Sequence, residues 1–292
     1  MVVDRGVSCV AYDQQVEIAR TATNSFGQSL KIFSQRLEGG VASKLEAARA
    51  EAAQASAAAS VPDLERQIVA QENLINVLAG RNPGPVPRHR KLLDEKIPDS
   101  IPAGLPSSLL QRRPDIRQNE QLLRSANAQV GVAEANFFPQ LNLTGLLGQV
   151  SPELAAFTAG GSTAWSIAAG LTGPLFHGGQ LVGRYHQAWA EWEEARLRYQ
   201  SSVLTALQEV SNELVAREKY SQAATQQDRA VRAYQVAVEV SMQRYVAGRA
   251  GYFELLEAQQ QLFPAENALV EAQLNQLLAF VQIYRSLGGG WQ

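Results

Sequence analysis

GRYHQAWAEWEEARLRYQSSVLTALQEVSNELVAREKYSQAATQQDRAVRAYQVAVEVSMQRYVAG runs from Gly183 to Gly248, with no glycine or proline between its two ends. Its Ala, Glu, Gln, Arg and Leu all favour helix. At 1.5 Å per residue a single helix of this length would measure about 95 Å, more than the diameter of a compact domain. Val182, Tyr185, Trp189, Trp192, Tyr199, Val203, Ala206 and Val210 follow a 3-4 stagger broken only by Arg196. A second phase runs through Ala224, Val231, Tyr234, Val238 and Tyr245, with polar Gln227 and Ser241 in the seam. This is coiled-coil spacing with imperfect seams. Such a rod cannot bury its stripe against itself, so antiparallel neighbours or other copies of the chain must cover it.

The totals narrow the class. The chain has 292 residues, enough for one large or two ordinary domains. Hydrophobic residues make up 46% and charged residues 18%, fewer charges than a free-standing coiled coil carries. The net charge of −2 argues against nucleic acid as a partner. Cys9 is the single cysteine, and His89, His177 and His186 are scattered, so metal spacing is absent. Nothing resembles a nucleophile triad or a phosphate loop, and no cofactor is expected. Met1–Asp13 lacks the apolar core of a secretory signal. No run of some 18 apolar residues predicts a transmembrane helix, which leaves a β-barrel open.

Outward from the long helix, the chain is punctuated by glycine and proline. Residues 12–38 read as a helix stopped by Gly39-Gly40. Ser43 and Glu46 form a capping-box pattern, and a second helix follows to about Ala79. Its stretch Ala47–Ala59 holds nine alanines in thirteen residues, which implies close helix–helix approach. Pro62 is expected to kink or interrupt it. Residues 1–80 thus form one helical hairpin, and 81–106, with six prolines, form a linker. A short turn of helix is expected over Ser107–Arg112. Pro114 suits the first position of a helix running to about Asn136.

After Phe138-Pro139 the period becomes two. Leu141, Leu143 and Gly145 alternate with Asn142 and Thr144. Beyond a loop over Ser151–Ser162, Trp165, Ile167, Ala169, Leu171 and Leu175 share one face. The pattern predicts a hairpin over about 140–176 with two strands of about ten residues. Membrane and soluble hairpins both fit. The long helix then spans 178–248 and a last helix 252–286. Arg36–Glu46 aligns with Arg244–Glu254 at an offset of 208, both copies reading as helix, tight turn, helix. The helices before the hairpin and after Gly248 together match the long helix in length, so they are expected to stack end to end beside it.

The motifs now form a set. Arg112-Arg113-Pro114-Asp115-Ile116, the Phe137-Phe138-Pro139 junction, Pro174-Leu175-Phe176 before Gly178-Gly179, Arg244-Tyr245 before Gly248, and Tyr284 before Leu287-Gly288-Gly289-Gly290-Trp291 resemble the TolC-like outer-membrane efflux proteins. The NodT-type lipoproteins of resistance-nodulation-division systems are the subgroup they look most like. The resemblance implies a mainly α fold with a membrane β-hairpin. Long antiparallel helices would form a periplasmic α-barrel, above which sit strands of a trimeric transmembrane β-barrel. It implies a homotrimer in outer-membrane lipid, a periplasmic adaptor protein, an inner-membrane pump of that class, and passage of drugs or other small molecules without catalysis. Family members carry two such repeats. Residues 107–292 look like a complete second one, and 1–80 like the remnant of a first that lacks its hairpin, its upper helices, and the secretion signal with its lipid-anchored cysteine. An N-terminally truncated form is the expectation.

The resemblance also marks residues. Glu254 and Glu257 share a helix face after the second turn, where the family lines its periplasmic constriction with acids. Arg249 would hold the closed state by pairing across chains, and Glu46 and Arg49 are the first-repeat counterparts. Gly40 and Gly248 would be the tips. Leu141, Leu143, Trp165, Ile167 and Leu171 would face lipid, with Trp165 and Phe157 near the loop end of the hairpin. Trp189 and Trp192 read as seam packing. The competing readings are a soluble or peripheral coiled-coil scaffold that dimerises through the hairpin, and a non-functional truncated relic of such a duct. An enzyme is a distant third.

Overall fold

The computed structural model describes residues 2–88, 111–149 and 163–289. The loop at 151–162 with Phe157, the linker beyond residue 88, residues 107–110 of the expected turn and the ending at Trp291 lie outside the described residues. Five helices and one hairpin are seen among the described residues: α1 (Val2–Glu38), α2 (Lys44–Leu78), α3 (Pro114–Ala135), β1 (Gln140–Gln149), β2 (Thr163–Thr172), α4 (Gln180–Val246) and α5 (Tyr252–Ser286). The chain divides into two compact units, one from residues 1–104 and 208–292, the other from 105–207.

In the first unit α1 packs against both α2 and α5. Ala50 and Ala57, a heptad apart on α2, are buried with Phe26 and Phe33 of α1. The alanine run thus serves the close approach its composition implied. At Gly27 of α1 an added Cβ would lie 2.8 Å from Gln54 Nε2 of α2. Farther along, Ala11 packs with Val270, supported by Val7, Val10, Ile18, Leu274 and Leu277.

Two expectations change here. α1 begins at Val2 rather than at residue 12, because Val7, Val10 and Ala11 have apolar partners on α5. α2 runs unbroken through Pro62, and α5 likewise contains Pro264. An interior proline costs about 3 kcal/mol. Packing of α2 along α1 offsets it on both sides of Pro62.

In the second unit Pro114 occupies the first turn of α3, with Arg113 as N-cap. Arg113 donates to both carboxylate oxygens of Asp115, at 3.1 and 2.6 Å, and holds that carboxyl below its usual range. Val130 and Ala133 of α3 bury against Ala188 of α4, with Tyr185 and Trp192 alongside. Trp189 meets Trp192 edge-on at 5.1 Å.

β1 and β2 pair antiparallel, with Leu141 opposite Leu171, Leu143 opposite Ala169, Gly145 opposite Ile167 and Leu147 opposite Trp165. Paired residues point to one face, so these eight share a side. The opposite side carries Gln140, Asn142, Thr144, Leu146, Ser166, Ala168, Gly170 and Thr172. Leu175 falls beyond the end of β2 and is fully exposed there, not on the strand face.

Candidate functional site

Both inter-helix turns of the first unit close in the same way. Gly40 and Gly248 hold φ of +74° and +70°, a left-handed conformation that only glycine adopts at low cost. Gly40 N donates to Leu37 O and Val41 N to Arg36 O, at 2.9 and 2.8 Å. Gly248 N donates to Tyr245 O and Arg249 N to Arg244 O, at 3.0 and 2.8 Å. Each is the paired hydrogen-bond pattern of a Schellman C-cap. The correspondence at an offset of 208 therefore extends to the backbone.

The aromatic core between these turns is built on Phe33. Tyr245 and Tyr252 approach its ring edge-on, with centroids at 5.3 and 5.5 Å. The guanidinium of Arg36 sits 4.7 Å from the Tyr245 ring centroid. Leu255 and Leu256 close the cluster.

The polar residues expected here take different partners. Ser43 caps α2, and its amide donates to Glu46 Oε2 while Glu46 N donates to Ser43 Oγ, both at 3.4 Å. Glu46 is thus engaged as half of a capping box. Its counterpart Glu254 follows Gly251, an N-cap without a side chain to accept, and pairs instead with Arg244 at 3.1 Å. Arg49 donates to the Tyr252 hydroxyl at 3.2 Å. Glu257 is exposed one turn beyond Glu254. Arg249 is exposed and has no side-chain partner among the described residues. Beside the Gly248 turn the cation that pairs with Glu254 is Arg244, a residue that the sequence marks only as part of the turn motif.

A second feature lies in the other unit. Leu141, Leu143, Leu147, Trp165, Ile167 and Leu171 are each at least 70% exposed. They form one uncovered apolar face, far more than a scatter of single surface leucines. The opposite face is small and polar apart from Leu146. Among the described residues no helix is long and apolar enough to cross a membrane, and no group of His, Cys, Asp and Glu is placed to hold a metal ion. Cys9 is buried, and desolvation raises its thiol pKa, so it is not a poised nucleophile.

Residues 105–289 match the family model for outer membrane efflux proteins. The chain belongs to that family. Among its relatives, the solvent efflux pump outer membrane protein SrpC of Pseudomonas putida is 33% identical over 277 residues, which is 94% of this chain and 59% of that protein. Outer membrane protein OprJ of Pseudomonas aeruginosa is 36% identical over 215 residues, 72% of this chain and 42% of that protein. The solved structure of the outer-membrane channel OprN aligns at a TM-score of 0.90 and 31% identity, covering 99% of this chain and 65% of that one. The chain thus spans about three-fifths of the curated relatives it matches along most of its own length. As an efflux-family chain it has the TolC-like fold: a helical portion plus a β-hairpin.

Proposed function

We propose that this chain is a duct subunit of a tripartite efflux system, with its hairpin in the outer membrane and its helices in a periplasmic tunnel. The observation that carries the reading is the two-faced hairpin. Six large apolar side chains lie exposed on one side, and a mostly small and polar side backs them. Each strand has ten residues, long enough to cross a bilayer when tilted. Alternation of apolar-out and polar-in is the pattern of a membrane barrel wall. Relatives named for solvent, toluene and antibiotic efflux support export of small molecules. The chain would assemble as a homotrimer and work with a periplasmic adaptor and an inner-membrane pump of the resistance-nodulation-division class. Such a duct performs no catalysis.

Within this reading residues 107–292 form one complete structural repeat and 1–80 part of another. Glu254 and Glu257, repeated threefold, would line the periplasmic constriction as rings of carboxylates. Such rings favour cations and repel one another. Arg249, exposed and without a side-chain partner among the described residues, would be available to a neighbouring subunit.

Single cysteines at Leu141, Leu143, Ile167 and Leu171 test the hairpin. A lipid-soluble probe should label all four, and a water-soluble thiol reagent should label Thr144 and Ser166 variants instead. The scaffold reading requires the reverse: all six positions open to the aqueous reagent or covered by a second copy.

A further inference from the structure

At the base of the hairpin lies an open groove of about 350 Å³. That volume is at the small end of the range for ligand pockets. Gln140 and Thr172, the pair that starts β1 and ends β2, line it. Both belong to the side of the hairpin opposite Leu141 and Leu171. If the apolar side meets lipid, as proposed above, this pocket opens on the conduit.

Its chemistry is one-sided. Arg184 and His177 line it, and among the described residues no carboxylate does. Arg184 is exposed and has no ion-pair partner among the described residues. Asn136 and Gln180 add amide donors, and the exposed ring of Phe138 and the side chain of Leu181 supply apolar wall. A free guanidinium presents a planar fork of N–H donors that fits a carboxylate in two parallel hydrogen bonds. An adjoining aromatic ring offers a surface for edge-on or offset contact with a second ring.

We infer that this pocket is a contact site for small solutes that carry a carboxylate on an aromatic body. The inference rests on the duct reading for its meaning, since a conduit wall is where such a solute would pass. A site of this size with one charge pair should bind weakly, with a Kd on the order of 1–10 mM for benzoate. Weak binding suits passage, because a solute must leave as readily as it enters.

Saturation-transfer NMR on the purified full chain in detergent, with benzoate as the probe, tests it. Wild type should give saturating signals from the benzoate ring. Arg184→Gln should raise the Kd by about fivefold, the loss of one surface charge pair. Arg184→Lys should recover part of the loss, and toluene at matched concentration should not displace benzoate. Arg184 is an exposed helix residue, so these variants should fold as wild type does. Equal binding by wild type and Arg184→Gln, or equal competition by toluene, would overturn the site. The labelling experiment above keeps the two readings apart. Lipid-facing Leu143 and Ile167 without benzoate binding would sink the site and leave the duct. Benzoate binding with a fully water-exposed hairpin would sink the duct and, with it, the assignment of the solute as cargo.

Discussion

The hydroxyl of Ser29 on α1 donates to Gln259 Oε1 on α5 at 3.0 Å, across 230 residues of sequence and inside a buried interface. Ser29 is fully buried and Gln259 is 4% exposed. The bond fixes which turn of α1 faces which turn of α5. Ser29→Ala removes the donor and leaves the amide oxygen unsatisfied, at a cost of about 1–3 kcal/mol. Adding Gln259→Leu replaces both polar partners with apolar groups and should recover most of that loss. Chemical denaturation of the two variants checks it. A double variant no more stable than Ser29→Ala would show that the pair does not act as a unit.

Arg244 and Glu254 are a surface pair, with side chains 52% and 41% exposed. Glu254→Ala should therefore change stability by less than about 1 kcal/mol. If Glu254 and Glu257 form the constriction, the double alanine variant in the assembled trimer should still lose cation selectivity and gain conductance. Single-channel recording reads the second effect and thermal melting the first. Unchanged conductance and selectivity would remove both residues from the gate.

Gly248 and Gly6 predict opposite signs for the same substitution. Gly248→Ala places a Cβ at φ +70°, which costs about 1–2 kcal/mol. Gly6 lies within α1 with no atom inside 4 Å of an added Cβ. Gly6→Ala should stabilise by up to about 1 kcal/mol, because alanine has less unfolded-state entropy to lose. Midpoints of urea unfolding decide both.

Much of this architecture is local and so was legible in the sequence. Gly40 and Gly248 mark their turns because no other residue adopts that φ at low cost. Ser43 and Glu46 announce a cap through two reciprocal bonds three residues apart. The change of period after Pro139 marks the strands. What was illegible depends on distant partners. The first ten residues of α1 carry Gly6 and several β-branched valines, poor helix formers, and are held helical because α5 covers Val7, Val10 and Ala11. Pro62 does not end α2 because the packing on either side outweighs one lost hydrogen bond. Arg244 reaches Glu254 only once the Gly248 turn brings two helix ends together, a meeting that no i,i+4 rule describes. The pocket at Arg184 gathers residues from a helix end, two strand ends and a loop, and no linear motif joins them.

Glu266 on α5 gives a pH prediction. Burial raises its carboxyl pKa, and a hydrogen bond donated by Gln235 of α4 at 3.4 Å only partly counters this. A carboxyl whose folded pKa lies above its unfolded value stabilises the fold below the unfolded pKa. That contribution is lost as pH rises through the raised value. Glu266→Gln keeps the shape and abolishes the ionisation. Its melting temperature should exceed wild type at pH 7 and converge with it towards pH 4. A constant difference between the two at every pH would assign the effect to packing rather than charge.

Arg88 ties the start of the linker to the first helical pair. Its guanidinium donates to Glu72 Oε1 at 2.6 Å and contacts Asp13 at 2.5 Å. Glu72 Oε1 also accepts the Val86 amide at 3.2 Å, and Asn76 Nδ2 donates to Gly84 O at 2.7 Å. Two carboxylates thus share one cation, and the Glu72 side chain is only 11% exposed. Arg88→Met strands that charge. Breaking a fully buried pair costs about 3–5 kcal/mol, and the partial exposure of Arg88 and Asp13 brings the expectation to about 2–3 kcal/mol. Adding Glu72→Gln removes the stranded charge and should restore part of the loss while keeping an acceptor for Val86. Hydrogen exchange at the Val86 amide gives a local reading: it should quicken in Arg88→Met and slow again in the double variant. A single variant within about 0.5 kcal/mol of wild type, with Val86 still protected, would mean that the Asn76–Gly84 bond alone holds the segment in place.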